Sequence, residues 1–238
     1  MTTFALVHGA WHGAWCWDPL RPELGRLGHD SVAMDLPVQD GTATFRTYAE
    51  VVSGAVDRAE DDLVLVGHSL GAMTIPLVAA ERPVRALVFL CGVLPAFGDD
   101  PEPEPVSLEP DDDPYRHLHR HTDGSTSWPD AGVVGDAFYS DCPRTVVDWA
   151  FARMRPQNST GLWSAPYPLR GRPACPIVSI ACEEDRCIRP AWSTWASRVR
   201  LGVEPRWLAG GHSPFASRPR ELASFLDALD SEGYPAEA

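Results

Sequence analysis

The sequence predicts an α/β protein: a mostly parallel sheet with helices on both faces and an inserted, partly helical lid. Three observations carry this prediction. Short, wholly apolar runs alternate with segments of helical spacing, the alternation lapses between residues 95 and 173, and a glycine-flanked serine stands where one apolar run gives way to a helix.

The first run, Phe4-Ala5-Leu6-Val7, ends at His8-Gly9, and the second, Leu63-Val64-Leu65-Val66, ends at Gly67. Ala86-Leu87-Val88-Phe89-Leu90 and Ile177-Val178-Ser179-Ile180-Ala181 follow. A run that is apolar at nearly every position, rather than at alternate ones, belongs to a strand buried on both faces. Residues 48–56 and 70–80 carry apolar side chains at helical spacing, and Pro76 is expected to bend or shorten the second segment. A chain of 238 residues, 44% apolar, suffices for one core, which we assign to residues 1–94 and 174–238.

Residues 95–173 form the insertion. Its opening, 99–113, is too rich in Pro, Asp and Glu to build a core, whereas 136–155 places Phe138, Tyr139, Val146, Val147, Trp149 and Phe151 at mostly helical spacing. Trp128, Trp149 and Trp163 need something to cover, so the segment reads as a lid over a site.

Composition excludes several function classes. All 20 basic residues are arginine against 33 acidic ones, and the net charge of -13 would repel nucleic acid or an anionic membrane. With no lysine, Schiff-base chemistry is also excluded. No apolar stretch approaches a membrane span, and Met1-Thr2-Thr3-Phe4 lacks the basic start of a secretion signal, so a cytoplasmic protein is expected. The six cysteines form no C-x-x-C pair and read as reduced thiols. His117, His119 and His121 alternate along the lid, but no further ligand completes a metal-binding spacing, and no metal is expected.

The string Gly67-His68-Ser69-Leu70-Gly71 fits G-x-S-x-G, a pattern that chance supplies in roughly one chain in twelve of this length. Context gives it meaning. It follows a buried strand and opens a helix, the setting in which flanking glycines permit a sharp turn that exposes the serine. Ser69 is therefore the candidate nucleophile, with the Leu70 N–H at the helix start able to stabilise an oxyanion. A serine hydroxyl needs a histidine to take its proton and a carboxylate to orient that histidine. His212, in Gly210-Gly211-His212-Ser213, is the one histidine beyond the last predicted strand and the best base by position. The loop after 177–181 offers Glu183, Glu184 and Asp185, of which Asp185 is favoured and Glu184 is its main competitor. The second oxyanion donor is assigned to the N–H of Ala10, with Trp11 next, because Gly9 lets that loop approach a substrate oxygen. His8, His12 and His68 read as anchors of the backbone rather than as catalysts.

His8-Gly9-Ala10-Trp11-His12-Gly13-Ala14-Trp15-Cys16-Trp17, taken with Gly67-His68-Ser69-Leu70-Gly71, resembles the plant methylesterase and hydroxynitrile lyase branch of the α/β hydrolases and its bacterial relatives. Glu183-Glu184-Asp185-Arg186 is similar to the family's acid loop and Gly210-Gly211-His212 to its histidine loop. The resemblance implies a triad of Ser69, Asp185 and His212, an oxyanion hole from Ala10 and Leu70, a helical cap and no cofactor. The lyases of the branch carry threonine after the first histidine and lysine after the catalytic one. Gly9 and Ser213 stand here instead, which argues against lyase chemistry.

The expectation is a serine hydrolase that cleaves a small, uncharged, apolar or aromatic ester through an acyl-enzyme. Trp11, Trp128, Trp149 and Trp163 are the candidate pocket walls. Lyase or lactone chemistry on the same residues and a non-catalytic ligand receptor are the alternatives. The expected partner is a small-molecule ester, and the sequence is compatible with a homodimer.

Overall fold

The computed structural model describes residues 1–57, 62–98 and 104–234. Six strands, β1 (Thr3–Val7), β2 (Asp30–Ala33), β3 (Leu63–His68), β4 (Ala86–Leu90), β7 (Ile177–Cys182) and β8 (Arg206–Leu208), form one sheet in the order β2-β1-β3-β4-β7-β8. Every neighbouring pair is parallel. The four apolar runs are the four central strands, and β3, β4 and β7 are buried at every position. The edge strands β2 and β8 were not legible as apolar runs because each has one open side and keeps polar residues such as Asp30 and Arg206.

Helices α1 (Arg21–Arg26), α2 (Phe45–Ala55), α3 (Ile75–Ala79), α6 (Pro190–Ala196), α7 (Pro214–Ser217) and α8 (Pro219–Glu232) flank the sheet. Helix α2 starts in a capping box, in which the Thr44 hydroxyl accepts from Thr47 N–H and the Thr47 hydroxyl accepts from Thr44 N–H, both at 3.2 Å. Pro76 acts as expected: residues 69–73 form a 3-10 turn and α3 starts afresh, with the proline in its first turn where no N–H is needed.

Residues 104–173 contain a hairpin of β5 (His119–Arg120) and β6 (Thr126–Ser127), helix α4 (Ala131–Phe138) and helix α5 (Arg144–Phe151). The mostly helical spacing read over 136–155 is divided between two helices, because Pro143 is extended and caps α5. Of the acidic opening, 99–103 lie outside the described residues. From Glu104 onward it is anchored on arginines, Glu104 pairing with Arg200, and Asp111 with Arg189 at 2.7 Å. Among the described residues no helix is long and apolar enough to cross a membrane.

The strand order brings the loops after β1 and β3 side by side, since the chain runs from β1 to β2 on one side and then to β3 on the other. Such a switch point leaves a crevice at the carboxyl ends of the strands.

Candidate active site

β3 delivers Ser69 into a turn with φ 50°, a left-handed conformation that costs free energy in any residue carrying a Cβ. Its neighbours make the turn possible. A Cβ at Gly67 would lie 2.7 Å from Ala72 Cα, and one at Gly71 would strike the His8 carbonyl and lie 2.7 Å from that of Val7. The two glycines let the turn close tightly against the end of β1, and the Ser69 carbonyl accepts the Val93 N–H at 3.0 Å. Leu70, second in the 3-10 turn, presents a helix-start N–H without an intrahelical partner.

Asp185 and His212 come from successive loops beyond β7 and β8. Those loops pair with each other, Glu183 N–H to the Leu208 carbonyl and Glu184 N–H to the Gly210 carbonyl, each at 3.0 Å. Asp185 folds back under this pairing: its Oδ1 accepts the N–H of Cys187 at 2.8 Å and of Ile188 at 2.9 Å. Its Oδ2 accepts Nδ1–H of His212 at 2.8 Å, with both side chains buried. Glu183 and Glu184 are exposed, whereas Asp185 is buried.

With its Nδ1 proton committed to Asp185, His212 carries a lone pair on Nε2, which is buried and hydrogen-bonded to nothing among the described residues. No hydrogen bond joins it to Ser69 in this structure. The two are nevertheless mechanically linked, because His68, the residue before Ser69, donates Nε2–H to the His212 carbonyl at 2.9 Å.

The loop after β1 is held from several sides. His8 donates Nδ1–H to the Gly9 carbonyl at 2.8 Å, and its Nε2 accepts the Leu36 N–H at 3.0 Å. His12 donates Nδ1–H to the Ala10 carbonyl and accepts from the Tyr139 hydroxyl on Nε2, both at 2.7 Å. Arg155 donates to the His12 carbonyl from Nη2 at 2.6 Å and from Nε at 3.1 Å, and its own N–H reaches the Trp11 carbonyl at 2.9 Å. Trp11, at φ 60°, directs its N–H at Gln157 Oε1 at 3.4 Å. Ala10 lines the cavity beside Ser69.

Burial governs the three auxiliary histidines. Desolvation pushes His8 down to about 4 and His12 to about 3, and holds His68 well below its ordinary value, with the nearby His212 adding to the effect at His68. They are neutral anchors whose tautomers are set by the carbonyls they bond.

A cavity of about 990 Å³ opens on Ser69, lined near the serine by Ala10, Trp11, Leu70, Met73, Val93 and Tyr115. Of the four tryptophans expected as walls, Trp11 and Trp163 line it and Trp128 and Trp149 do not. Trp128 is wedged between Trp11 and Phe138, 5.3 and 5.0 Å away, and so supports the wall from behind. Trp149 sits edge-on to Trp15 at 5.1 Å under the Arg153 guanidinium, because the face that α5 buries is that of Val147 and Ala150. Trp163, 58% exposed, stands edge-on to Phe45.

The hold of Arg155, Gln157 and Tyr139 on the β1 loop carried no local signal in the sequence, since they reach it from more than a hundred residues away. Cys91 was also missed, although it directly follows the apolar run that became β4, the position at which strand ends build sites. Its φ is 43°, and its sulfur, an oxygen of Asp185 and a ring nitrogen of His212 all lie within 4.8 Å of one another. His117, His119 and His121, by contrast, are exposed on and beside the β5–β6 hairpin.

A parallel sheet with a strained serine at one strand-to-helix turn, and a buried Asp–His pair beyond later strands, is the architecture of an α/β hydrolase. The chain belongs to the alpha/beta hydrolase family, whose model matches residues 4–225. It is similar to Methylesterase 1 of Arabidopsis thaliana, with 26% identity over 94% of both chains. A 109-residue stretch, 42% of this chain and 45% of the other, is 37% identical to a carbendazim hydrolyzing esterase of Nocardioides sp. (strain SG-4G). In fold it is similar to a crystal structure of a pyrethroid hydrolase, at 23% identity and TM-score 0.78 over 97% of this chain and 98% of that one. The relatives matched in sequence, named esterases and methylesterases, place the chain with the carboxylic ester hydrolases.

Proposed function

We propose that the protein hydrolyses a small-molecule carboxylic ester, apolar or aromatic in character, through an acyl-enzyme on Ser69. One observation carries the reading: a sealed 2.8 Å Asp185–His212 bond leaves the His212 Nε2 lone pair free on the side of the ring opposite the carboxylate, and the same loop is tied to the serine turn through His68.

In this mechanism the Ser69 hydroxyl turns to His212, gives its proton to Nε2 and attacks the ester carbonyl. Asp185 stays ionised and stabilises the imidazolium. The oxyanion is received by the N–H groups of Ala10 and Leu70; Trp11 is the weaker choice because its N–H is directed at Gln157. His212 then protonates the leaving alcohol, and water, activated by the same nitrogen, releases the acid. A serine hydroxyl and histidine in apo structures often close their hydrogen bond only once substrate is bound, so its absence here accords with the role.

The substrate class follows from the walls. Beside Ser69 the cavity is lined by Ala10, Leu70, Met73 and Val93, and among the charges further out Glu104 is paired with Arg200 and accepts from Trp192 Nε1–H at 3.0 Å. A neutral, bulky ester fits such a volume better than an ionised one. The named substrates of the relatives, carbendazim and pyrethroids, point the same way.

The test is turnover of a panel of aryl and alkyl esters and lactones by the wild type and Ser69→Ala, with a fluorophosphonate probe to label the nucleophile. We expect labelling of Ser69 and loss of turnover in the variant. Unchanged turnover in Ser69→Ala would refute the proposal.

A further inference from the structure

The ester mechanism leaves one buried group beside its base without a task. Cys91 is 1% exposed and sits at the carboxyl end of β4, where its N–H is held by the Ile180 carbonyl at 2.8 Å. Its strained φ of 43° fixes the start of the side chain beside the Asp185–His212 pair. Besides those two residues, the thiol meets Cys182, whose sulfur lies 3.4 Å away.

We propose that Cys91, Asp185 and His212 form an inhibitory site for a thiophilic divalent cation of the zinc type, which takes His212 at Nδ1. One sulfur, one imidazole nitrogen and one carboxylate oxygen make the mixed donor set that zinc accepts and that magnesium or calcium does not. The sulfur, an oxygen of Asp185 and a ring nitrogen of His212 already lie within 4.8 Å of one another, and Nδ1 is the nitrogen that faces the carboxylate, at 2.8 Å. Bonds of about 2.0 to 2.3 Å to a tetrahedral ion need ligands roughly 3.3 to 3.8 Å apart, so side-chain shifts of about an ångström complete the site. The Asp185–His212 bond opens slightly to admit the ion, while Asp185 Oδ1 keeps its two backbone N–H donors. Asp185 also lines a second cleft, of about 490 Å³, shared with Asp112, Asp136 and His117 as well as Arg116 and Arg186, which gives an ion a route to the carboxylate.

The proton balance explains the inhibition. Without an ion, the hydrogen bond to Cys182 and burial keep the Cys91 thiol protonated. Binding converts it to a metal-bound thiolate and releases one proton to solvent. The proton on His212 Nδ1 must leave to make room for the metal and is recovered on Nε2, so the ring stays neutral but changes tautomer. Nε2 then carries a hydrogen where the Ser69 proton would have to go, and the base is switched off. This consequence rests on the proposed function, whereas the binding does not.

The experiment titrates the full chain with Zn²⁺ against a chromophoric chelator and with Co²⁺ by absorption spectroscopy, with Mg²⁺ as comparison. The variants are Cys91→Ala, Cys91→Ser and the half-buried control Cys142→Ser. We expect one Zn²⁺ per chain and a sulfur-to-cobalt charge-transfer band. Cys91→Ala should bind Zn²⁺ about tenfold to a hundredfold more weakly and lose the band, while Cys142→Ser retains both. Affinity should rise about tenfold per pH unit as the thiol proton is released. Ester turnover should fall in step with Zn²⁺ occupancy and return on adding a chelator, each variant being compared with its own zinc-free rate. Equal Zn²⁺ affinity in wild type and both Cys91 variants, or a cobalt adduct without the band, would overturn the site. Binding at Cys91 that leaves turnover untouched would overturn its inhibitory role. A chain that proves inactive on every ester would still report on the site through affinity, spectrum and proton release.

Discussion

His68 donates its Nε2–H to the backbone carbonyl of His212 over 2.9 Å, so the residue before the candidate nucleophile holds the loop of the candidate base. Its ring packs at 4.8 Å against Phe215 and is kept neutral by burial and by the neighbouring His212. Replacing it with leucine keeps most of the packing and strands a buried carbonyl, a loss of about 1–3 kcal/mol. We expect His68→Leu to lower the urea midpoint accordingly and to reduce kcat more than it raises KM. An unchanged midpoint and kcat would show that the bond does not couple the two loops.

Asp185→Asn separates orientation from folding. The amide oxygen can still accept the Cys187 and Ile188 N–H groups, so the loop keeps its caps, but the negative charge facing His212 is gone. Removing the equivalent charge from a Ser-His-Asp triad costs about 10⁴ in kcat. Ester turnover should fall on that order with little change in Tm. Glu184→Gln, at an exposed position, should leave both nearly unchanged, and the reverse pattern would move the acid to Glu184.

Gln157 and Arg155 hold the loop that carries Ala10. Gln157→Leu frees the Trp11 N–H and lets that loop relax. Displacement of a catalytic group by about an ångström can cost about a hundredfold in rate. We expect kcat to drop by about tenfold to a hundredfold with KM nearly constant, measured on an ester whose acylation is rate-limiting. A rise in KM alone would assign Gln157 to substrate binding instead.

Acid sensitivity of the fold follows from the buried histidines. His8 and His12 titrate at about 4 and about 3 when folded, against 6.5 when exposed, chiefly through desolvation. Below pH 6.5 the unfolded chain binds protons that the folded chain refuses. The stability present above pH 6.5 is therefore lost progressively as pH falls towards 4 for His8 and 3 for His12. Each histidine costs about 1 kcal/mol over the first unit below 6.5. Denaturant unfolding at pH 7.5, 6.5 and 5.5 should show the decline beginning near 6.5, above the range in which ordinary carboxylates titrate. A flat profile to pH 5.5 would contradict it.

Much of the scaffold is legible in the sequence. The central strands are apolar at nearly every position because both faces are covered, and that pattern needs no partner to be seen. Strands β2 and β8 were silent, since an edge strand keeps polar residues on its open side. In the site, G-x-S-x-G and the loops of Asp185 and His212 could be read because each is a short local string. Trp128 and Trp149 misled, since aromatic content says that a residue packs but not against what.

By itself the sequence determined the alternation of buried strand and helix, the position of the strained serine turn, and a short set of acids and histidines in the order the chemistry needs. Those are properties of local pattern, set by periodicity, by glycine's backbone freedom and by the charge of individual side chains. Only the tertiary structure decided which acid turns inward, which tryptophans face the cavity, and that Arg155, Gln157, His68 and Cys91 converge on the site. Each of those depends on contacts between residues far apart in the chain, which burial and hydrogen-bond satisfaction select only once the sheet has closed over its core.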